Sequence, residues 1–255
     1  GKIVLEVRET DGHSTIRCVI IQGGILSSKK GVNFPNTKIS MPSLTEKDIQ
    51  DLEFALEQKV DWIGLSFVRS QEDIIDLKQR IAAKKHFAKV IAKIEKPEAL
   101  VNIDEIIAES DGLMVARGDL GVEVPYQTVP SIQKMLISKC ISQAKPVIVA
   151  TQMMESMISN LTPSRAEVND VANAVLDGAD AVMLSGETSV GNYPVEVIQT
   201  MANIIKEMEK HDAMYHKEEL PVKNSERFIS DSICFNACRL AQRVEATAII
   251  TMSFS

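Results

Sequence analysis

Between residues 62 and 184 the chain repeats one unit again and again: a short apolar run, then a longer amphipathic stretch. The apolar runs, at 62–68, 90–94, 112–116, 147–150 and 181–184, are predicted strands. They are apolar throughout instead of alternating, as expected of strands in a parallel sheet covered by helices. The stretches at 71–84, 98–109, 129–143, 165–177 and 193–210 carry apolar residues at helical spacing and are predicted helices. Alternating β and α units leave an α/β fold as the expectation.

Polar, chemically capable residues follow the carboxyl end of each predicted strand. They are Arg69, Lys93 with Glu95, Arg117-Gly118-Asp119, Thr151-Gln152 and Ser185-Gly186-Glu187. The helix-to-strand turns carry Pro146, Gly178 and Asp180 and little reactive chemistry. An open doubly wound sheet binds ligands only at a switch point, whereas a (β/α) barrel carries chemistry after strand upon strand. The pattern favours the barrel. No G-x-G-x-x-G follows any strand, which weakens a dinucleotide-binding reading.

The flanks differ. Residues 3–7 and 15–21 read as strands joined by a loop with Asp11-Gly12, and a glycine-marked segment with Lys29 and Lys30 follows. Residues 43–60 read as an amphipathic helix with Ser43 or Thr45 as its cap. After the polar linker HDAMYHKEELPVKN, a helix over 225–243 and a strand over 246–251 are expected. The divisions are placed at 1–41, 42–212 and 213–255. Lys plus Arg is 28 against 35 for Asp plus Glu, a net charge of −7, which argues against nucleic-acid partners. No run of about eighteen apolar residues predicts a membrane span, and the first residues lack the apolar core of a signal peptide. The cysteines (Cys18, Cys140, Cys234, Cys238) form no C-x-x-C pair and are read as small buried residues of a reduced, cytoplasmic protein. The four histidines are read as surface residues.

The stretch VIAKIEKPEAL concentrates the chemistry. In a strand, alternate side chains share a face, so Lys93 and Glu95 point together and Ile94 points away. Pro97 suits the first turn of a helix. A cation and a carboxylate ending an apolar strand are placed for a ligand, a metal or each other. Asp119 follows the neighbouring strand, and two carboxylates with open positions suit Mg²⁺; a helix N-cap is the other role for Asp119. Gly118 and Gly121 let backbone N–H groups approach an anion. Lys93 is suited to neutralising charge on a phosphoryl group or enolate oxygen. A Schiff-base role is the rival, disfavoured because a neighbouring anion keeps the amine protonated. Thr151 is placed to hydrogen-bond a carboxylate, Ser185 and Glu187 to assist a proton relay, and Met153, Met154 and Met157 to pack.

The segments LSSKKGVNFP, DWIGLSFVRS, VIAKIEKPEAL, DGLMVARGDLGVEVP, PVIVATQMMESM and SRAEVNDVANAVLDGADAVMLSGETS closely resemble pyruvate kinases, in order and over nearly the whole chain. The resemblance implies a partial TIM (β/α)8 barrel, strands four to eight, with part of an inserted β lid domain and the beginning of an α/β C-terminal domain. It implies transfer of a phosphoryl group from phosphoenolpyruvate to ADP, giving pyruvate and ATP in glycolysis. Lys93 resembles the lysine that stabilises the phosphoryl transition state and the enolate. Glu95 and Asp119 resemble the ligands of Mg²⁺ (or Mn²⁺). Gly118 and Asp119 resemble the residues whose N–H groups, with Thr151, bind the substrate carboxylate. Lys30 resembles a nucleotide-side lysine, and Phe67 an aromatic that supports the site from below; Arg117, Ser185 and Glu187 are further candidates. A K⁺ site in the parent enzyme would use residues outside this chain, and the parent would be a homotetramer. The segment alone is expected to have little or no kinase activity. The rivals are an Mg²⁺-dependent 2-oxo-acid aldolase or lyase of a related barrel, which would not carry these motifs together, and a non-catalytic binding module.

Overall fold

A computed structural model of the chain describes residues 3–28, 31–32, 42–210, 221, 223–224 and 227–250. Lys29, Lys30, Thr251, His211 and His216 lie outside the described residues. The chain divides into two compact units, Gly1–Thr37 and Lys38–Ser255.

The first unit holds an antiparallel pair, β1 (Val4–Thr10) and β2 (Ile16–Gln22), with register irregularities at Val4/Leu5 and Val7/Glu9. Asp11 makes the turn. Its Oδ1 accepts the N–H groups of His13, Ser14 and Thr15, each at 2.9 Å, and Gly12 takes the positive φ. Two strands cannot bury both their faces, and every residue of the pair is exposed.

The second unit is built on a parallel sheet of order β3-β4-β5-β6-β7. In chain order its elements are α1 (Glu46–Glu57), β3 (Trp62–Leu65), α2 (Gln71–Ala83), β4 (Lys89–Ile94), α3 (Pro97–Val101), α4 (Ile103–Glu109), β5 (Gly112–Ala116), α5 (Arg117–Glu123), α6 (Val129–Ser142), β6 (Val147–Ala150), α7 (Arg165–Asp177), β7 (Ala181–Met183), α8 (Gly186–Ser189), α9 (Pro194–Met208) and α10 (Phe228–Arg243). Single 3-10 turns occupy Tyr126–Thr128 and Glu155–Ile158. No helix among the described residues is long and apolar enough to cross a membrane.

Local signals explain most boundaries. Thr45 and Asp48 close a capping box on α1, and Ser164 and Glu167 close another on α7. Pro97 opens α3, where its missing N–H costs nothing. Gly178 ends α7 at φ 94°, a left-handed C-cap suited to glycine. Asp111 and Asp180, just ahead of β5 and β7, reach sideways. They accept N–H groups near the start of the preceding strands, Val90 at 2.8 Å and Val147 at 2.9 Å.

The core lies between sheet and helices. Val90, Ala92 and Ile94 of β4, Leu113 and Val115 of β5, and Val147 and Val149 of β6 are fully buried against Ile74, Leu77, Ile106, Leu136, Ile137 and Val171. Met153, Met154 and Met157 belong to the same core. The opposite sheet face is more open: Ile91, Lys93, Met114 and Ile148 are only half-buried. The strands therefore do not read as covered equally on both faces, because helices pack on one side alone among the described residues.

Other expectations are also corrected. The helix expected over 98–109 breaks into α3 and α4 at Asn102. The Asn102 side chain donates to the carbonyl of Arg69 at 2.9 Å and of Glu98 at 3.3 Å, an alternative to continuing the helix. The strand expected over 62–68 stops at Leu65. Residues 246–250 form no strand. Cys140 alone of the cysteines is buried.

Candidate functional site

The parallel register builds the site. Leu65 pairs with Ala92, so Ser66 comes beside Lys93 one residue later, and the Lys93 ammonium donates to Ser66 Oγ at 2.7 Å. Side-chain alternation sends Glu95 to the Lys93 side of the strand. The Lys93 Nζ lies 2.7 Å from Glu95 Oε1. Glu95 Oε2 accepts the N–H of Phe67 at 2.9 Å. Glu95 is only 2% exposed, so its charge is stabilised by these two donors and by little water. Phe67 sits at φ 56° with its ring exposed. The Lys96 ammonium lies 5.9 Å from the ring centroid and pairs with Glu123 at 2.7 Å.

The next strands supply a second group of contacts. Beyond the last registered pair of β4 and β5, Ile94 with Val115, Glu95 comes level with Ala116, where α5 begins at once. Gly118 and Asp119 thus lie in the first turn of a helix, and the N-cap position falls to Ala116 instead of Asp119. Asp119 is exposed, and no side-chain hydrogen bond of its carboxylate occurs among the described residues. Helix N-terminal N–H groups leave a favourable field for that carboxylate and for a bound anion. The Gly118 N–H donates to Thr151 Oγ1 at 2.7 Å, and that hydroxyl donates to the Ala150 carbonyl at 2.7 Å. A Cβ at residue 118 would lie 3.1 Å from Thr151 Oγ1, a tight contact that would push on the Thr151 side chain.

The remaining candidates turn inward. The Arg117 guanidinium, 12% exposed, pairs with Asp170 at 2.7 Å and donates to the Thr151 carbonyl at 2.7 Å. Glu187 is buried at 2% exposure, its two oxygens accepting the N–H groups of Met154 at 3.2 Å and Ser185 at 2.8 Å. Ser185 is exposed at the end of β7. Lys30 lies outside the described residues.

Among the described residues no group of three or more His, Cys, Asp or Glu could hold a metal. That excludes a full protein cage there, but not a hard ion held through one or two carboxylates, water and substrate oxygens, as Mg²⁺ commonly is. Glu95 and Asp119 have the right chemistry for that ion.

A model of the pyruvate kinase barrel domain matches residues 1–198 of the chain. The chain belongs to the pyruvate kinase family. It is 47% identical over 261 residues to pyruvate kinase from Geobacillus stearothermophilus, covering 100% of this chain and 44% of that protein. It is 46% identical over 255 residues to pyruvate kinase from Mycobacterium intracellulare, covering 100% of this chain and 53% of that protein. Pyruvate kinase 2 from Synechocystis is 46% identical over 254 residues, with coverage of 99% and 42%. The chain spans about half the length of these relatives. The parallel sheet β3–β7 with its flanking helices fits a partial barrel of the pyruvate kinase fold.

Sequence reasoning missed Ser66 and Asp170. Ser66 carried a usable signal, since it lies on the rim after β3, next to Lys93 in register. Asp170 sits mid-helix, 53 residues from Arg117, and nothing local marks it.

Proposed function

We propose that the enzyme containing this segment transfers the phosphoryl group of phosphoenolpyruvate to ADP, giving pyruvate and ATP. The observation that supports it best is the Lys93 ammonium, 27% exposed, held between Ser66 and Glu95 at the rim of a parallel sheet. Such a fixed charge lowers the cost of the negative charge that develops as the phosphorus–oxygen bond of the substrate breaks and the bond to the ADP oxygen forms. Glu95 and Asp119 would hold Mg²⁺ (or Mn²⁺), which when bound supplies neutralisation of phosphoryl charge. Thr151, with the N–H groups of Gly118 and Asp119, receives the substrate carboxylate, which replaces the Thr151 oxygen on the Gly118 N–H and the Ala150 carbonyl on the Thr151 hydroxyl. Lys30 serves the nucleotide, and Phe67 supports the site through its N–H bond to Glu95. Arg117 and Glu187 hold the rim and do not touch substrate. K⁺, if the enzyme uses it, is bound by residues outside this segment. The enzyme works in the cytoplasm as a homotetramer.

This segment alone has little or no turnover, because part of the phosphate side of the site lies elsewhere. The test pairs a coupled pyruvate-release assay with calorimetry, using Mg²⁺ and phosphoenolpyruvate, on the segment and the complete enzyme. ADP-dependent pyruvate release by the complete enzyme, and loss of metal-dependent binding in Glu95→Gln, are expected. Aldehyde-releasing cleavage without ADP would replace the kinase reading with a lyase. Full turnover by the segment would refute the division of the site.

A further inference from the structure

The turn after β6 is held in a backbone conformation that its residues do not favour. Thr151 has φ 68° and Gln152 has φ 54°, two successive left-handed residues, neither of them glycine. A β-branched residue there is a steric outlier, and such strain persists only where the surroundings over-determine it. The Arg117 guanidinium grips this turn from the neighbouring loop. Its Nη2 donates to the Thr151 carbonyl at 2.7 Å and contacts Met153 Sδ at 2.8 Å, and its Nε reaches the Ala150 carbonyl at 3.4 Å. Its Nη1 binds Asp170 Oδ1 at 2.7 Å and Gln133 Oε1 at 3.4 Å.

The next residue completes the grip. Gly118 donates its N–H to the Thr151 hydroxyl at 2.7 Å. One dipeptide thus holds Thr151 at both ends, by a side chain on its carbonyl and by a main-chain N–H on its hydroxyl. Asp170, on α7, fixes the direction of the guanidinium fork. It also balances the arginine charge, so the buried cation does not become an anion site itself.

We propose that Arg117 and Asp170 are positioning residues that hold the left-handed turn and thereby place the Thr151 hydroxyl and Gly118 N–H where a substrate carboxylate would take them over from each other and from the Ala150 carbonyl. The inference rests on the substrate role given above to Thr151 and Gly118. Neither Arg117 nor Asp170 touches substrate in it. Asp170→Asn keeps the shape and removes the charge. Arg117→Lys keeps the charge and removes the fork.

The experiment uses the complete enzyme, with KM for phosphoenolpyruvate, KM for ADP and melting temperature measured together. Asp170→Asn and Arg117→Lys are each expected to raise KM for phosphoenolpyruvate by about tenfold to a hundredfold, since a displaced substrate group loses its alignment. KM for ADP stays within about twofold, and the double variant falls short of the product of the two single effects because the pair acts as a unit. Asp170→Glu recovers part of the loss. A fall in melting temperature with KM for phosphoenolpyruvate unchanged would show a purely structural pair and overturn the inference. Thr151→Val separates the two levels. If it leaves KM for phosphoenolpyruvate unchanged, the substrate reading fails. If it raises KM while Asp170→Asn does not, only the positioning role fails.

Discussion

Replacing Glu187 by glutamine tests whether the rim is held by buried carboxylates or whether Glu187 moves protons. The side chain is 2% exposed, and its two oxygens accept one backbone N–H each, from Met154 after β6 and from Ser185 after β7. Glutamine keeps the shape, so no cavity opens. Its one carbonyl oxygen can keep only one of the two N–H groups. Its NH₂ then faces the other donor, and a buried N–H without an acceptor costs about 1–3 kcal/mol. The bond that remains loses its charge assistance, worth roughly 1 kcal/mol more. Removing the desolvated charge offsets part of this, so we expect a net loss of about 2–3 kcal/mol. For a complete enzyme about twice the length of this chain, that lowers the melting temperature by about 2–6 °C. Calorimetry on the complete enzyme measures it, beside the pH dependence of kcat. The staple predicts a lower melting temperature and an unmoved pH profile. An unchanged melting temperature with one limb of the pH profile lost would refute the reasoning and return Glu187 to proton transfer.

Three further outcomes are expected. Burial pushes the Glu167 carboxyl up, but hydrogen bonds from Ser156 and Ser164 outweigh it and leave it below its ordinary value of 4.5. Its contribution to stability is present above that value and is lost as pH falls through the lowered one, so melts from about pH 5 to pH 3 should fall more steeply for the natural protein than for Glu167→Gln. Gly178→Ala should cost about 1–2 kcal/mol in urea unfolding, because φ is 94° there and an added Cβ would lie 2.8 Å from Ile141 Cδ1; an unchanged midpoint would contradict the left-handed cap. Burial, aided by the Asp180 charge, pushes the Cys140 thiol up to about 12, while Cys18, Cys234 and Cys238 are exposed. Mass spectrometry after native maleimide treatment should find those three modified and Cys140 modified only after denaturation.

How far the sequence revealed the fold depended on where each determinant sits. β5, β6 and α7 match their expected limits, at 112–116, 147–150 and 165–177, because Gly112, Pro146, Ser164 and Gly178 mark them locally. The break at Asn102 was hidden, since its cause is the Arg69 carbonyl, 33 residues away. The early end of β3 has a similar origin: Phe67 is held left-handed beside its N–H bond to Glu95, 28 residues on. At the site, strand parity alone brought Lys93 and Glu95 together. Arg117 was legible as chemistry but not as a clamp, because Asp170 and Thr151 become its neighbours only when α7 and β6 have packed.

Those hidden contacts have a common geometry. Apart from the ion pair to Asp170 on α7, they tie the rim after one strand to the rim after the next. Ser66 and Phe67, after β3, bind Lys93 and Glu95 at the end of β4. Lys96, after β4, pairs with Glu123 at the end of α5, which follows β5. Arg117 and Gly118, after β5, hold Thr151 after β6, and Met154 after β6 is held by Glu187 after β7. A parallel strand ends by leaving backbone groups without ladder partners, and buried groups of that kind need acceptors and donors from somewhere. The loop beside each strand supplies them. The polar residues at the rim therefore have two sources of constraint, the ligand they would bind and the neighbouring loop they hold. A rim stapled strand to strand is already arranged before any ligand arrives, which reduces the ordering that binding would otherwise require. It follows that a lesion at one staple should disturb the two loops it joins before it disturbs any other, and the effects of Glu95→Gln and Glu187→Gln on stability should add, since they join different pairs.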